Sequence, residues 1–550
     1  MSLQPQALYC VPEDTARVAR AIFPEGNLVM RMYDELDMLF RDSDFADIFA
    51  VQGQPAESPV RLALVTLLQF WEGLTDRQAA DAVRTRIDWK YLLCLELTDL
   101  GFHHTVLSEF RGRLVLHGAE RRVFDAILTL AQERELLKAG GRQRSDSTHV
   151  LGAVRAMTRL ENVTETLRHT LNVLATIHPE WLRAHTTAEW VDRYGLRASE
   201  YRLPKGQEKR DAWAEQVGRD GQALLSAVYA EPQDRALRTE PAVETLRLVW
   251  LQNFVTVNER LRWRTNDETP PTGRYIGSPY DGDARYATKR QTHWVGYKIH
   301  LTETYGDDQP NIITNVETTN AAVSDDAVTE TIHASLADQH LLPEKHVADT
   351  GYVNSALFVS SKTTYDIELI GPTRGDNHWQ AKDGAGFAAR NFTIDWEQQH
   401  AICPMGKVSN SWTPAVDRFK NEVIKIKFTM TDCQVCPCVE HCTKSTPPRR
   451  TITIRPQAQH EALLAGRERE QTAEYKAEYA KRAGVEGTIA QSVRTTEVRR
   501  SRYIGKAKTH LAHLMAAAVI NIMRLLRWLA GKPKAQTKLS PFARLYQGAT

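Results

Sequence analysis

A chain of 550 residues is too long for a single compact core, so two to four domains are expected. With 42% hydrophobic and 25% charged residues, the composition is that of a soluble globular protein and excludes a disordered or fibrous chain. The formal net charge of +2 hides a segregation of sign: residues 1–60 hold ten acidic against four basic side chains, whereas residues 481–510 hold eight Lys or Arg against two Glu. A local basic stripe of that kind, not the total, is what binds a polyanion, although a solvated helix face is spelled the same way.

The opening MSLQPQALYCVPEDTARV has no basic region followed by an apolar core, which argues against a secretory signal. Residues 1–140 read as helical. Ser58-Pro59 is a helix start, with Ser as N-cap and Pro in the first turn, and the run that follows ends at Gly73. Thr75-Asp76-Arg77-Gln78 has the form of a capping box. Trp89, Tyr91, Leu92 and Leu93 mark a third helix, and Thr105 is a candidate cap for a fourth that holds Arg111 and Arg113. Short helices with arginines on the last one suit a helix-turn-helix-like DNA binder, and equally any small helical domain.

The pattern changes at Gly140-Gly141, after which 142–154 reads as a strand containing Asp146. A helical block follows to about residue 270, with Leu160, Val163, Leu167, Leu171 and Leu174 at helical spacing. The period then becomes two: Val295, Tyr297, Ile299 and Leu301 alternate with Gly296, Lys298, His300 and Thr302, and a partner strand at 311–318 follows the turn residues Gly306-Asp307-Asp308. Ser324 is a candidate cap for a helix through about Ala337; the strand His346-Val347-Ala348 runs into Asp349, and a helix and the strand 366–370 come next. This order predicts a mixed α/β sheet interrupted by insertions. Residues 376–455 weaken into a Cys-rich region, and the remainder is mostly helical. The apolar stretch 511–530 carries His513, Asn521, Arg524 and Arg527, which are costly in a bilayer, so it reads as a buried or amphipathic helix and no membrane is expected.

Aspartates held on strands are pre-positioned, two from neighbouring strands can hold Mg²⁺ through hard oxygen ligands, and a helical carboxylate completes the cage that two-metal phosphodiester chemistry needs. Asp146 and Asp349 are placed for this, although either alone reads as a turn or cap residue. Glu486 follows Arg482 by four residues and Tyr479 by seven, so the three are expected on one helix face; the bland reading is an ordinary Arg–Glu pair.

Taken in order, these features resemble the DDE transposases of bacterial insertion sequences. The resemblance rests on Ser108-Glu109-Phe110-Arg111, Asp146-Ser147-Thr148, Gly296-Tyr297-Lys298-Ile299-His300, Ala348-Asp349-Thr350-Gly351-Tyr352, and the Tyr479, Arg482, Glu486 spacing. It implies a ribonuclease-H-like mixed sheet with a helical insertion and a Cys-rich insertion, preceded by a helical N-terminal domain. It makes Asp146, Asp349 and Glu486 the catalytic metal ligands for two Mg²⁺ (or Mn²⁺), with Tyr479 and Arg482 handling phosphate. The family spacing often ends with Lys seven positions after Glu, where this chain has Val493 with Arg494 beside it. The expected segments are a DNA-binding or dimerisation domain over 1–140, the first core strand over 141–154, the helical insertion over 155–270, the core again over 271–375, the Cys-rich insertion over 376–455, and the catalytic helix with basic C-terminal helices over 456–550.

Of seven cysteines, five cluster: Cys403, Cys433, Cys436, Cys438 and Cys442. Two groups of thiols suit structural Zn²⁺. Cys403, Cys433, Cys436 and Cys442 are the preferred ligands, with His441 a spare, because Cys438 follows Cys436 too tightly; reduced structural cysteines are the alternative. The expected partner is double-stranded DNA, as terminal inverted repeats and as target, bound by a homodimer in the cytoplasm at the nucleoid. Lys298, Arg494, Arg499, Arg500, Arg502, Lys506 and Lys508 are expected on phosphates, and Arg111 and Arg113 on the recognition helix. A hydrolysis-only nuclease or a domesticated non-catalytic DNA-binding protein are the rival readings.

Overall fold

The computed structural model describes every residue except 1, 7–8, 38, 231–234, 383–385, 535–540 and 546–550, so parts of the expected C-terminal segment lie outside the described residues. The chain forms two units that interleave in sequence. The first is Met1–Leu137 with Asp146–Val323 and Val485–Thr550; the second is Lys138–Ser145 with Ser324–Gly484.

In the first unit the N-terminal helices start where their caps are written. The Ser58 hydroxyl accepts from Arg61 N at the start of helix Pro59–Glu72, and Gly73 closes that helix in the left-handed conformation. Thr75 and Gln78 form the reciprocal capping box of helix Asp76–Thr85. Helix Thr105–Leu116 is entered from His104 without a side-chain cap, so Thr105 is its first residue and not its cap.

Helix Lys506–Leu529 is long and apolar enough to cross a membrane, yet its most apolar stretch is 78% buried inside the protein. It packs against helices Leu28–Leu36, Pro59–Glu72, Thr105–Leu116 and Arg122–Glu133 and against strand Ile313–Asn320. Its buried polar groups are satisfied: Asn521 accepts from Ile313 N and donates to Ile313 O, both at 2.8 Å.

The sheet is mixed. Strands β1 (Arg142–Leu151), β2 (Arg285–Lys289), β3 (Thr292–Thr304) and β4 (Ile313–Asn320) precede β5 (Lys345–Val347) and β6 (Glu368–Ile370). In the first unit β1 pairs with β3, which takes β2 and then β4 as antiparallel partners along its other side. The change of partner falls at Gly296, whose φ is +151° and whose absent side chain would meet Val150 O at 2.3 Å and Gly152 N at 2.4 Å. Only glycine fits where β1 comes this close. The helical insertion has its own core, including Leu160, Val163, Leu167, Leu174, Val217, Leu246 and Trp250. It ends in a hairpin, Phe254–Val257 with Arg260–Trp263, that helical periodicity did not foretell.

The second unit holds the parallel part. The first residues of β1 pair with β5 (Arg142 opposite Lys345, Gln143 opposite His346, Arg144 opposite Val347), and β5 pairs with β6. Ser324 makes no side-chain cap; a 3-10 turn, Asp325–Val328, leads into helix Thr329–Asp338. The Cys-rich region, where the sequence pattern weakens, contains a two-stranded sheet (Thr393–Asp395, His400–Ile402) and a three-stranded one (Ser411–Val416, Glu422–Lys427, Thr451–Ile454) around Phe392, Ala401, Ile426, Phe428, Ile452 and Ile454.

The arginines expected on a recognition surface are committed inward. Arg111 is buried, donating to both Asp76 oxygens at 2.9 and 2.7 Å and to Gln69 at 3.1 Å, with its guanidinium 5.7 Å from the Tyr503 ring centre. Arg113 lies 5.1 Å from the Phe49 ring centre. Arg111 is thus held by Asp76 and Gln69, whereas Arg113 is half-buried beside Phe49. Burial raises the Asp76 carboxyl, but the bonds from Arg111 and Gln69 outweigh it and hold the group below its ordinary 3.8. A depressed carboxylate contributes stability above its unfolded pKa and loses it as pH falls through the folded one. Arg111→Ala should therefore cost about 1.5–3 kcal/mol at neutral pH, read by denaturant unfolding, and the deficit relative to wild type should shrink below about pH 4. An undestabilised variant with altered DNA sequence preference would support the recognition role.

Candidate active site

Each expected carboxylate stands on an ordered element. In the first unit Asp146 lies within β1, only 9% exposed, with its Oδ1 accepting from Ser147 N at 2.7 Å. Glu486 is exposed in the first turn of helix Gly484–Thr496. In the second unit Asp349 follows β5 by two residues and its Oδ1 accepts from Gly351 N at 2.8 Å. A side chain on Gly351 would meet Asp349 Oδ1 at 2.9 Å and Asp325 Oδ2 at 3.2 Å. Glycine thus lets two carboxylates approach one stretch of backbone, and Asp325 is an acidic neighbour that the motif reading missed.

The Tyr, Arg, Glu spacing does not fall on one uninterrupted helix. Tyr479 ends helix Ala473–Ala480, Arg482 sits in the 3-10 turn Lys481–Ala483, and Glu486 opens the next helix. Within the second unit Tyr479 stacks on Tyr475 at 5.8 Å with an interplanar angle of 7°, and the Arg482 guanidinium lies 5.9 Å from the Tyr479 ring centre. Arg144, on β1 of that unit, donates to Lys481 O and so holds the turn.

The basic residues divide by whether a backbone carbonyl holds them. Arg494, Arg499, Arg500, Lys506 and Lys508 are exposed, and Arg499 Nε is steadied by Thr148 Oγ1 at 2.9 Å. Arg502 spends its guanidinium on the Leu74 and Gly73 carbonyls, closing the end of helix Pro59–Glu72. Lys298 donates to Val323 O at 2.7 Å.

Four cysteines, Cys403, Cys433, Cys436 and Cys442, line one cavity of about 170 Å³ in the second unit together with Phe387, Phe428 and Arg450; Cys438 does not. Burial pushes the Cys442 thiol up to about 11; Arg450 opposes this, and Cys433, Cys403 and Cys436 add to it. The thiols match the donor chemistry of Zn²⁺ and the carboxylates that of Mg²⁺. Among the described residues, no group of three or more His, Cys, Asp or Glu side chains is gathered closely enough to hold a metal ion.

A buried polar chain flanks the aspartate strands in the second unit. Ser145, one residue before Asp146, bonds His346 Nε2 at 2.7 Å; His346 Nδ1 bonds His333 Nε2 at 2.8 Å; and His333 Nδ1 lies 3.5 Å from Ser361. Burial lowers His333 to about 4, and burial with the neighbouring His333 drives His346 well below its ordinary 6.5. A histidine depressed on folding costs nothing above its unfolded pKa and penalises the folded state as pH falls toward the folded value. Stability of the second unit should fall between about pH 6.5 and 4 by roughly 3 kcal/mol for His333 alone. Thermal unfolding across that range checks this: the pair His333→Gln, His346→Gln should flatten the slope, and an unchanged slope would show that these histidines do not carry it.

A helical N-terminal region followed by a mixed sheet, with Asp146 on one strand and Asp349 two residues beyond another, defines an α/β protein consistent with a ribonuclease-H-like core. The family model for a transposase domain (DUF772) matches residues 17–113. The family model for the transposase DDE domain matches residues 402–526, which include the clustered cysteines and Glu486. Together the two matches support a DDE transposase of an insertion sequence. No curated protein and no solved structure matches it.

Proposed function

We propose that the protein binds the terminal inverted repeats of its element, as a homodimer on DNA, cuts the ends and joins the freed 3′ hydroxyls to target DNA, with Asp146, Asp349 and Glu486 as ligands for Mg²⁺. One observation carries the reading. Glu486 lies within the matched DDE domain. Bound divalent cations supply activation of a water and stabilisation of a departing 3′ oxygen. The chain itself presents Glu486 to solvent, fixes the Asp349 carboxylate through Gly351 N and offers exposed arginines to phosphates. Arg111 and Arg113 lie on the helix expected to read the repeats; Arg111 is paired with Asp76, and Arg113 is half-buried beside Phe49.

Glu486→Gln keeps size and hydrogen bonding but removes the ligand charge. It should abolish cleavage while leaving affinity for inverted-repeat DNA nearly intact; normal cleavage would end the assignment. Replacing Arg499 and Arg500 with Ala should weaken binding to all sequences alike and reduce the salt slope by about one per lost phosphate contact. A defect confined to the repeat sequence would reverse the roles of these surfaces. Strand joining, assayed with pre-cut ends, separates a transposase from an enzyme that only hydrolyses.

The second metal proposal is structural: Cys403, Cys433, Cys436 and Cys442 hold one Zn²⁺ that pins the loops of the Cys-rich region. Elemental analysis should find about one zinc per chain, as a four-thiolate site implies. Zinc that persists after Cys433→Ser and Cys436→Ser, or no zinc at all, would reject it.

A further inference from the structure

We infer that Arg524 and Glu303 form a buried clamp that positions the helix carrying Glu486, an inference that rests on the proposed role of Glu486. The groups involved all lie in the first unit. Glu303 is completely buried on β3, at the point where the β3–β4 register shifts between Thr302 and Glu303. Such an irregularity re-aims a side chain relative to regular pleating. Arg524 Nη1 donates to Glu303 Oε2 and to Asn311 O, both at 2.8 Å. The rest of the guanidinium grips helix Gly484–Thr496. Nη2 donates to Thr488 Oγ1 at 2.6 Å and Gln491 Oε1 at 3.1 Å, and Nε donates to Gln491 Oε1 at 3.2 Å. Thr488 in turn donates to Glu303 Oε2 at 2.5 Å, so its hydroxyl is used in both senses.

Helical geometry converts this grip into placement. Thr488 and Gln491 are three residues apart and share a face; Glu486 precedes Thr488 by two residues, about 200° around the axis. Gripping the first face therefore turns Glu486 outward, where it is exposed. A slip of one residue would rotate Glu486 by about 100° and move it about 1.5 Å along the axis. The clamp stands on a fixed base, because Asn521, one turn before Arg524, bonds Ile313 through both its amide groups.

The surrounding positions on helix Lys506–Leu529 are apolar: Ile522, Leu525 and Leu526 are buried. A buried ion pair is a poor stabiliser compared with apolar residues of the same volume. What a planar guanidinium adds is direction, since its donors fix rotation and register where apolar contact permits sliding.

The test removes the grip and leaves the ion pair. Thr488→Val with Gln491→Leu keeps the Arg524–Glu303 pair and close to the native volume. The full-length variant should melt within a few degrees of wild type and bind inverted-repeat DNA within twofold. Its cleavage should fall at least tenfold, and amide exchange in peptides from 484–496 should quicken. Arg524→Lys, which keeps the charge but loses the fork, should lower cleavage in the same direction. A stable double variant that cleaves within twofold of wild type, or one that loses its fold together with its cleavage, would overturn the positioning role. Glu486→Gln in the same assay separates the two layers. If that control is inactive while the double variant cleaves normally, the clamp fails and the metal-ligand reading stands. If the control cleaves, the metal-ligand reading itself fails, whatever the exchange rates show.

Discussion

Burial of helix Lys506–Leu529 is the constraint on which the rest of the first unit depends. The helix lies among four N-terminal helices and strand β4. Eleven apolar residues buried on one element represent a large share of a domain's driving force at about 25 cal/mol per Å². Polar residues on it survive burial because each finds directional partners: Asn521 on Ile313, His513 on Thr318, Arg524 on Glu303. They make the helix an instrument for registering its neighbours as well as a core.

The sequence made much of this legible, and the failures have physical causes. Caps were read correctly at Ser58 and Thr75 because a hydroxyl facing a backbone N–H is a local interaction. The alternation through Val295, Tyr297, Ile299 and Leu301 gave β3, and the run from Leu160 gave an insertion helix, because burial of one face imposes its own period. The Cys-rich strands escaped notice because they are only three to six residues long. The Arg111–Asp76 pair was illegible for a different reason: the partners are 35 residues apart, and sequence cannot distinguish a guanidinium awaiting phosphate from one already paired.

Of the candidate site, the residue types were legible and the support was not. Asp146, Asp349 and Glu486 could be picked out from motif order, but the pairs that hold their elements are remote, such as Glu303 with Arg524 and Ser145 with His346. Neither pair forms a spacing pattern. A Ser immediately before Asp146 and a His three residues before Asp349 were the only traces, and they acquire meaning once β1 and β5 are seen side by side. The interruption between Arg482 and Glu486 is of the same kind: i, i+4 spacing predicts a shared face only where the helix is unbroken.

The interleaving of the first unit bears on how such a chain can be made. Residues 1–137 and 506–529 share one core, yet residues 138–505 lie between them in sequence. Domains generally fold as units in the order in which they emerge, and exposed apolar faces held open in the interval invite aggregation and proteolysis. The N-terminal helices must wait for helix Lys506–Leu529 before their core closes. A chain terminated before Lys506 is therefore an unfinished core, with apolar faces left open to aggregation.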